Sequence, residues 1–204
     1  MKRVILVMLI VLIFITGYSA SAKSAKNVDK DIIQNCLDRY NKFLNGEISA
    51  SSEDKIRIDD IFYLNENYNR FTFFDSNHNG IPELHLKSMR NYIIIECIND
   101  NLKEIYTGTG YETLLNNGGI LYTRIGEAPE HTSYVYTELN SDNNISRITF
   151  GKYNLMNDKK DDDLYFYEDV EVTKSEFDKK TKNYLNINSD LIIWSDYWMF
   201  LVEN

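Results

Sequence analysis

The stretch Phe71–Lys87, FTFFDSNHNGIPELHLK, reads as strand, loop, strand. Phe71–Phe74 is aromatic and Leu84–Lys87 alternates apolar with polar residues, as half-buried strands do. Between them Asp75, Asn77 and Asn79 place an oxygen-bearing side chain at every second position, and Gly80 then allows a sharp turn. A hard cation such as calcium takes six to eight oxygen ligands, and alternate inward-pointing side chains of a short loop supply them. Asp75, Asn77, Asn79, the Ile81 carbonyl and Glu83 make five sources of oxygen within nine residues. The competing reading is a tight Asn79-Gly80 hairpin turn, with Asp75 and Asn77 bonded locally to the backbone. The cation reading is favoured, with Asn79-Gly80 also closing the hairpin and His78 pointing outward.

The loop differs from a helix-flanked EF-hand, because Leu86 stands at the twelfth position, where that motif needs a bidentate Glu. Only Asp75 and Glu83 bring formal charge. A dissociation constant of roughly 10⁻⁴ to 10⁻³ M is expected, and a structural role for the ion.

Working outward, the chain divides simply. Lys2 and Arg3 precede the apolar run Val4–Ile15, and Ala20-Ser21-Ala22 offers a small-residue cleavage site, so residues 1–22 read as a secretory signal peptide. The run falls short of the ~20 residues of a membrane span. Residues 23–28 read as a linker and 29–204 as one domain. Loss of Lys2 and Arg3 takes the formal net charge from −9 to −11. Such acidity argues against binding nucleic acid or an anionic membrane and favours attraction of cations.

From Asp29 to Leu44, Ile32, Ile33, Cys36, Leu37, Tyr40, Phe43 and Leu44 recur at helical spacing. Asn27 or Asp29 would cap this helix and Asn45-Gly46 would stop it. Asn91–Ile98, Leu102–Thr107, Gly119–Arg124, Ser133–Leu139, Ile145–Tyr153 and Leu164–Tyr167 are further strand candidates. Short polar connections at Asn99–Asn101 and Asn140–Asn144 predict an antiparallel meander. Thr173-Lys174-Ser175-Glu176 fits a capping box, opening a second helix over Thr173–Tyr184. The apolar segment Leu191–Val202 reads as a buried terminal strand or short helix. The expected class is α+β, an antiparallel sheet with both helices packed on it.

Cys36 and Cys97 could pair in an exported protein, but each lies in an apolar pattern and reads more simply as a buried thiol. The acidic run Asn157–Asp163 and the alternating Asn140, Asp142 and Asn144 lack a following glycine and read as solvated charge and a turn. His78, His85 and His131 form no zinc pattern, and Glu127–His131 reads as a loop. Gly108-Thr109-Gly110 is too short for a phosphate loop, and there is no G-x-S-x-G nucleophile motif. Of Tyr106, Tyr111, Tyr122, Tyr134 and Tyr136, alternation sends about half into the core.

The D-x-N-x-N-G-x-x-E loop resembles the strand-flanked calcium loops of integrin-type propeller repeats, though one copy makes no propeller. With Phe43–Ala50 (FLNGEISA) and Val170–Phe177 (VEVTKSEF), the chain also resembles a group of small secreted or cell-surface proteins of low-GC Gram-positive bacteria. That resemblance implies location and cation binding, and no reaction. The leading expectation is a secreted, non-enzymatic module with a calcium-stabilised hairpin that contacts an extracellular protein or glycan. The alternative is a secreted hydrolase with unidentified catalytic carboxylates.

Overall fold

A computed structural model describes residues 28–51, 55–62, 69–127, 130–153 and 163–197, without the side chains of residues 127 and 130. Residues 1–22, expected to form a signal peptide, and nearly all of the expected linker lie outside the described residues. Among those described, no helix is long and apolar enough to cross a membrane.

The class is α+β. Helix α1 (Lys30–Leu44) is followed by the short α2 (Ile58–Ile61) and strands β1 (Arg70–Phe74), β2 (Glu83–Lys87), β3 (Asn91–Ile98) and β4 (Asn101–Thr109). Then come β5 (Glu112–Leu114), β6 (Ile120–Glu127), β7 (Glu130–Leu139), β8 (Ile145–Tyr153), β9 (Leu164–Tyr167), β10 (Val170–Val172), helix α3 (Lys174–Leu185) and β11 (Ser195–Asp196). Asp29 caps α1 by accepting the Asp31 N–H, and Gly46, at φ 73°, ends it. Thr173 and Glu176 form the capping box of α3.

The meander is antiparallel, but it forms two sheets where one was expected: β11-β1-β2-β3-β4 and β10-β9-β8-β7-β6-β5. The break falls at Gly110. Its N–H donates to the Arg90 carbonyl, and a Cβ there would overlap the Ser88 and Met89 carbonyls, so this close crossing requires glycine. The chain then leaves β4 and enters β5 in the second sheet. The intervening turns follow the expected chemistry: Asn99 and Asp100 have φ of 48° and 63°, as a two-residue hairpin turn demands.

Strand alternation gives the first sheet two buried faces. Phe71, Phe73, Leu84, Leu86, Ile93, Ile95 and Cys97 join α1 and α2 in one core. Tyr92 and Ile94, with Tyr106, meet Leu114, Ile120 and Leu139 of the second sheet in another. A third core sets Phe177 of α3 against Tyr136 and Phe150.

Two further expectations change. Cys36 and Cys97 are joined in a disulfide, with Cα atoms 5.5 Å apart, because the α1 face that carries Cys36 lies directly on β3. The terminal segment is only partly buried. Leu191 and Ile193 are exposed, whereas Trp194 packs between the sheets and the Tyr197 hydroxyl donates to the Leu44 carbonyl at 2.9 Å. Residues 198–202 of that segment lie outside the described residues.

Candidate functional site

The β1–β2 connection is wider than a tight turn. Phe74 pairs with Glu83, so residues 75–82 form the loop, and Asn79-Gly80 is not a two-residue hairpin turn. Positive φ occurs at both His78 (60°) and Gly80 (92°), which curls the chain around its own side chains. His78 is exposed, as expected, and its Nε2 lies 3.1 Å from the Asn117 carbonyl.

The side chains of Asp75, Asn77 and Asn79 turn back onto the loop's own backbone. The Asp75 carboxylate accepts the Asn79 N–H at 3.1 Å through Oδ1 and the Gly80 N–H at 3.0 Å through Oδ2. Asn77 Oδ1 accepts the same Asn79 N–H at 3.0 Å, and Asn79 Oδ1 accepts from Ile81 N–H at 2.7 Å. Each of these oxygens therefore keeps a lone pair beyond its backbone bond. Glu83 is fully buried; its Oε2 accepts from the Ser76 N–H at 2.7 Å and the Ser76 hydroxyl at 2.8 Å, while its Oε1 has no hydrogen-bond partner. A buried carboxylate oxygen without a donor costs a substantial part of its hydration.

Two residues outside the predicted set touch the loop. Glu96 of β3 is 4% exposed; its Oε1 accepts from the side-chain amides of Asn77 at 3.2 Å and Asn79 at 2.7 Å. Asn143, from the β7–β8 turn of the second sheet, donates to Glu96 Oε2, and its Oδ1 accepts from Asn77 Nδ2 at 2.9 Å. A signal for Glu96 exists in the sequence, since it is the one acid inside the apolar run YIIIECI, and a buried charge needs a partner. Asn143 carries no such mark, because only the folding of the second sheet brings it here.

The electrostatics are one-sided. Burial pushes the Asp75 carboxyl up from its ordinary range, against the pull of the Gly80 and Asn79 N–H groups and of His78. Burial pushes Glu83 well above the carboxylate range; the Ser76 bonds pull it back, and the charges of Asp75 and Glu96 push it further up. Among the described residues the side-chain ion pairs are Arg70–Asp196 and Lys174–Asp178, and neither reaches this cluster. Nor, among those residues, do three His, Cys, Asp or Glu side chains converge closely enough to hold a metal by themselves. The predicted set holds two carboxylates, with amide and backbone oxygens making up the rest.

The other candidates separate from this site. Of the Asn157–Asp163 run only Asp163 is described, and it accepts a 3.4 Å bond from the Tyr165 hydroxyl. His131 stacks on Tyr153 at 5.2 Å, and His85 is buried between Tyr92 and the Phe74 carbonyl. Tyr106 and Tyr136 are buried while Tyr111 is exposed, so these rings form no single outward row. Comparison of the chain with family models, curated proteins and solved structures gives no match.

Proposed function

We propose that this is a secreted, non-enzymatic module whose β1–β2 loop binds calcium, and that the ion firms a surface used to contact an extracellular protein or glycan. One observation carries the calcium reading: Glu83 Oε1 is fully buried and has no donor, and the charge of Asp75 acts on the same carboxyl group. A hard cation answers that deficit, and every donor in the set is the hard oxygen calcium takes. Asp75, Asn77, Asn79, the Ile81 carbonyl and Glu83 would hold it, with water completing the shell. Export is supported by the basic and apolar N-terminal sequence and by the Cys36–Cys97 disulfide, since such bonds persist in oxidising compartments. Exposed apolar side chains at Tyr111, Ile125, Leu191 and Ile193 offer contact area for a partner.

Melting the native chain and Asp75→Ala, each in millimolar calcium and in chelator, tests the ion. Free calcium tenfold above its dissociation constant should stabilise the native chain by ~1.4 kcal/mol, and the variant should not respond. Equal melting temperatures of the native chain in both conditions would refute the reading. Binding to a glycan array then separates a glycan partner from a protein partner.

A further inference from the structure

We infer that the β1–β2 loop is a clasp on the second sheet, with the Glu96 carboxylate as its pin, so that the loop opens together with the β5–β6 and β7–β8 turns. The inference goes beyond the calcium reading and stands whether or not an ion enters the loop.

The two sheets meet across the core of Tyr92, Ile94, Tyr106, Leu114, Ile120 and Leu139. The chain crosses between them at Gly110, beside the start of β3, where Asn91 pairs with Thr109. Apolar burial holds such sheets together without direction, whereas hydrogen bonds fix geometry. Toward the far end of β3, Glu96 supplies those bonds. Its Oε1 accepts from the amides of Asn77 at 3.2 Å and Asn79 at 2.7 Å, and its Oε2 accepts from Asn143 of the β7–β8 turn. Asn77 also donates to Asn143 Oδ1 at 2.9 Å, which closes a ring of Glu96, Asn77 and Asn143. One buried carboxylate therefore joins β3, the loop and the second sheet. Withdrawing any one amide leaves a buried charge short of a donor, which costs more than a neutral hydrogen bond.

The β5–β6 turn closes on the same loop. His78 Nε2 lies 3.1 Å from the Asn117 carbonyl. Gly118, at φ 85°, sets the turn against the loop so closely that a Cβ there would stand 2.7 Å from the Ser76 carbonyl oxygen. Coupling of this kind is reciprocal: a ligand that orders the loop orders both turns, and a ligand of either turn orders the loop.

Native-state hydrogen exchange of the native chain, Asn143→Gly, Glu96→Gln and the exposed-site control Glu171→Gln tests the clasp. Asn143→Gly keeps the turn, because glycine adopts the φ of 61° freely, and removes only the side chain. The Asn79 and Gly80 amides bond within the loop, and the Gly119 amide bonds to Asn117 Oδ1. All three should nonetheless exchange roughly tenfold or more faster in Asn143→Gly and in Glu96→Gln, the scale of a lost hydrogen bond to a charged group. The control should match the native chain. Native rates for the loop amides in Asn143→Gly, or faster loop amides with Gly119 unchanged, would overturn the inference. Equal acceleration of the α1 and α3 amides would mean a general loss of stability and would overturn it as well. Should Glu96→Gln fail to fold, Asn143→Gly decides alone.

Discussion

The two helix–sheet layers are secured in different ways. Helix α1 buries Cys36, Leu37, Tyr40, Phe43 and Leu44 on the first sheet and is bonded to it through Cys97. Helix α3 buries only Phe177 and Thr181 on the second sheet and relies on its local capping box. The first layer thus carries a covalent tie between residues distant in sequence, whereas α3 follows β9 and β10 directly and sets Phe177 against Tyr136, Phe150 and Tyr165 without one. The first sheet also carries the buried polar groups Glu83, His85 and Glu96, because the second sheet covers the face on which they lie. A half-solvated sheet would have left those groups in water.

Breaking the covalent tie is the strongest way to test that contrast. The disulfide spans a sequence separation of 61, for which loop-closure entropy gives about 4 kcal/mol. Urea denaturation of the Cys36→Ser, Cys97→Ser double variant should show a loss of that size, and a loss under about 1 kcal/mol would mean that packing alone holds α1 in place. On the second layer, Phe177→Ala should cost about 3 kcal/mol by leaving a cavity against Phe150 and Tyr165. Because α3 has so little else buried, its amides should lose protection from hydrogen exchange before those of α1 do.

Acid sharpens the comparison through His85. Complete burial lowers its pKa from the ordinary histidine value of 6.5 to about 3; the ring stays neutral, with Nε2 toward the Phe74 carbonyl at 3.1 Å and Nδ1 toward the Tyr92 hydroxyl at 2.8 Å. The unfolded chain therefore takes up a proton near pH 6.5 that the folded chain refuses until about pH 3. Its contribution is complete above pH 6.5 and is lost progressively as pH falls toward 3. Asp75 and Glu83 act oppositely, since their raised values favour the folded state in acid, but both are shared with a His85→Gln variant. Relative to that variant, the native chain should lose about 2 kcal/mol between pH 7 and pH 5. Parallel stability curves would show that His85 does not titrate as its burial requires.

Most of the local structure was legible in the sequence, because it depends on local chemistry. The 3.6-residue recurrence from Ile32 to Leu44 marks α1, and Thr173 with Glu176 marks the start of α3. Asn99-Asp100 marks a hairpin through its tolerance of positive φ. Strands β5, β10 and β11 are too short for a period to register, and their pairing partners define them. The division into two sheets turns on one glycine whose backbone meets Ser88 and Met89, a contact no spacing rule encodes. At the site, the alternation of Asp75, Asn77 and Asn79 was visible, whereas Glu96 and Asn143 arrive from β3 and the second sheet. The pairing of Cys36 with Cys97 was hidden for the same reason, since each cysteine sits in an apolar pattern that burial alone explains.

Calorimetric titration of the native chain with calcium tests the central claim most directly. The account predicts saturable binding of about one ion with a dissociation constant of roughly 10⁻⁴ to 10⁻³ M, abolished in Asp75→Ala. An absence of saturable heat up to several millimolar calcium, together with unchanged binding isotherms in the variant, would contradict it.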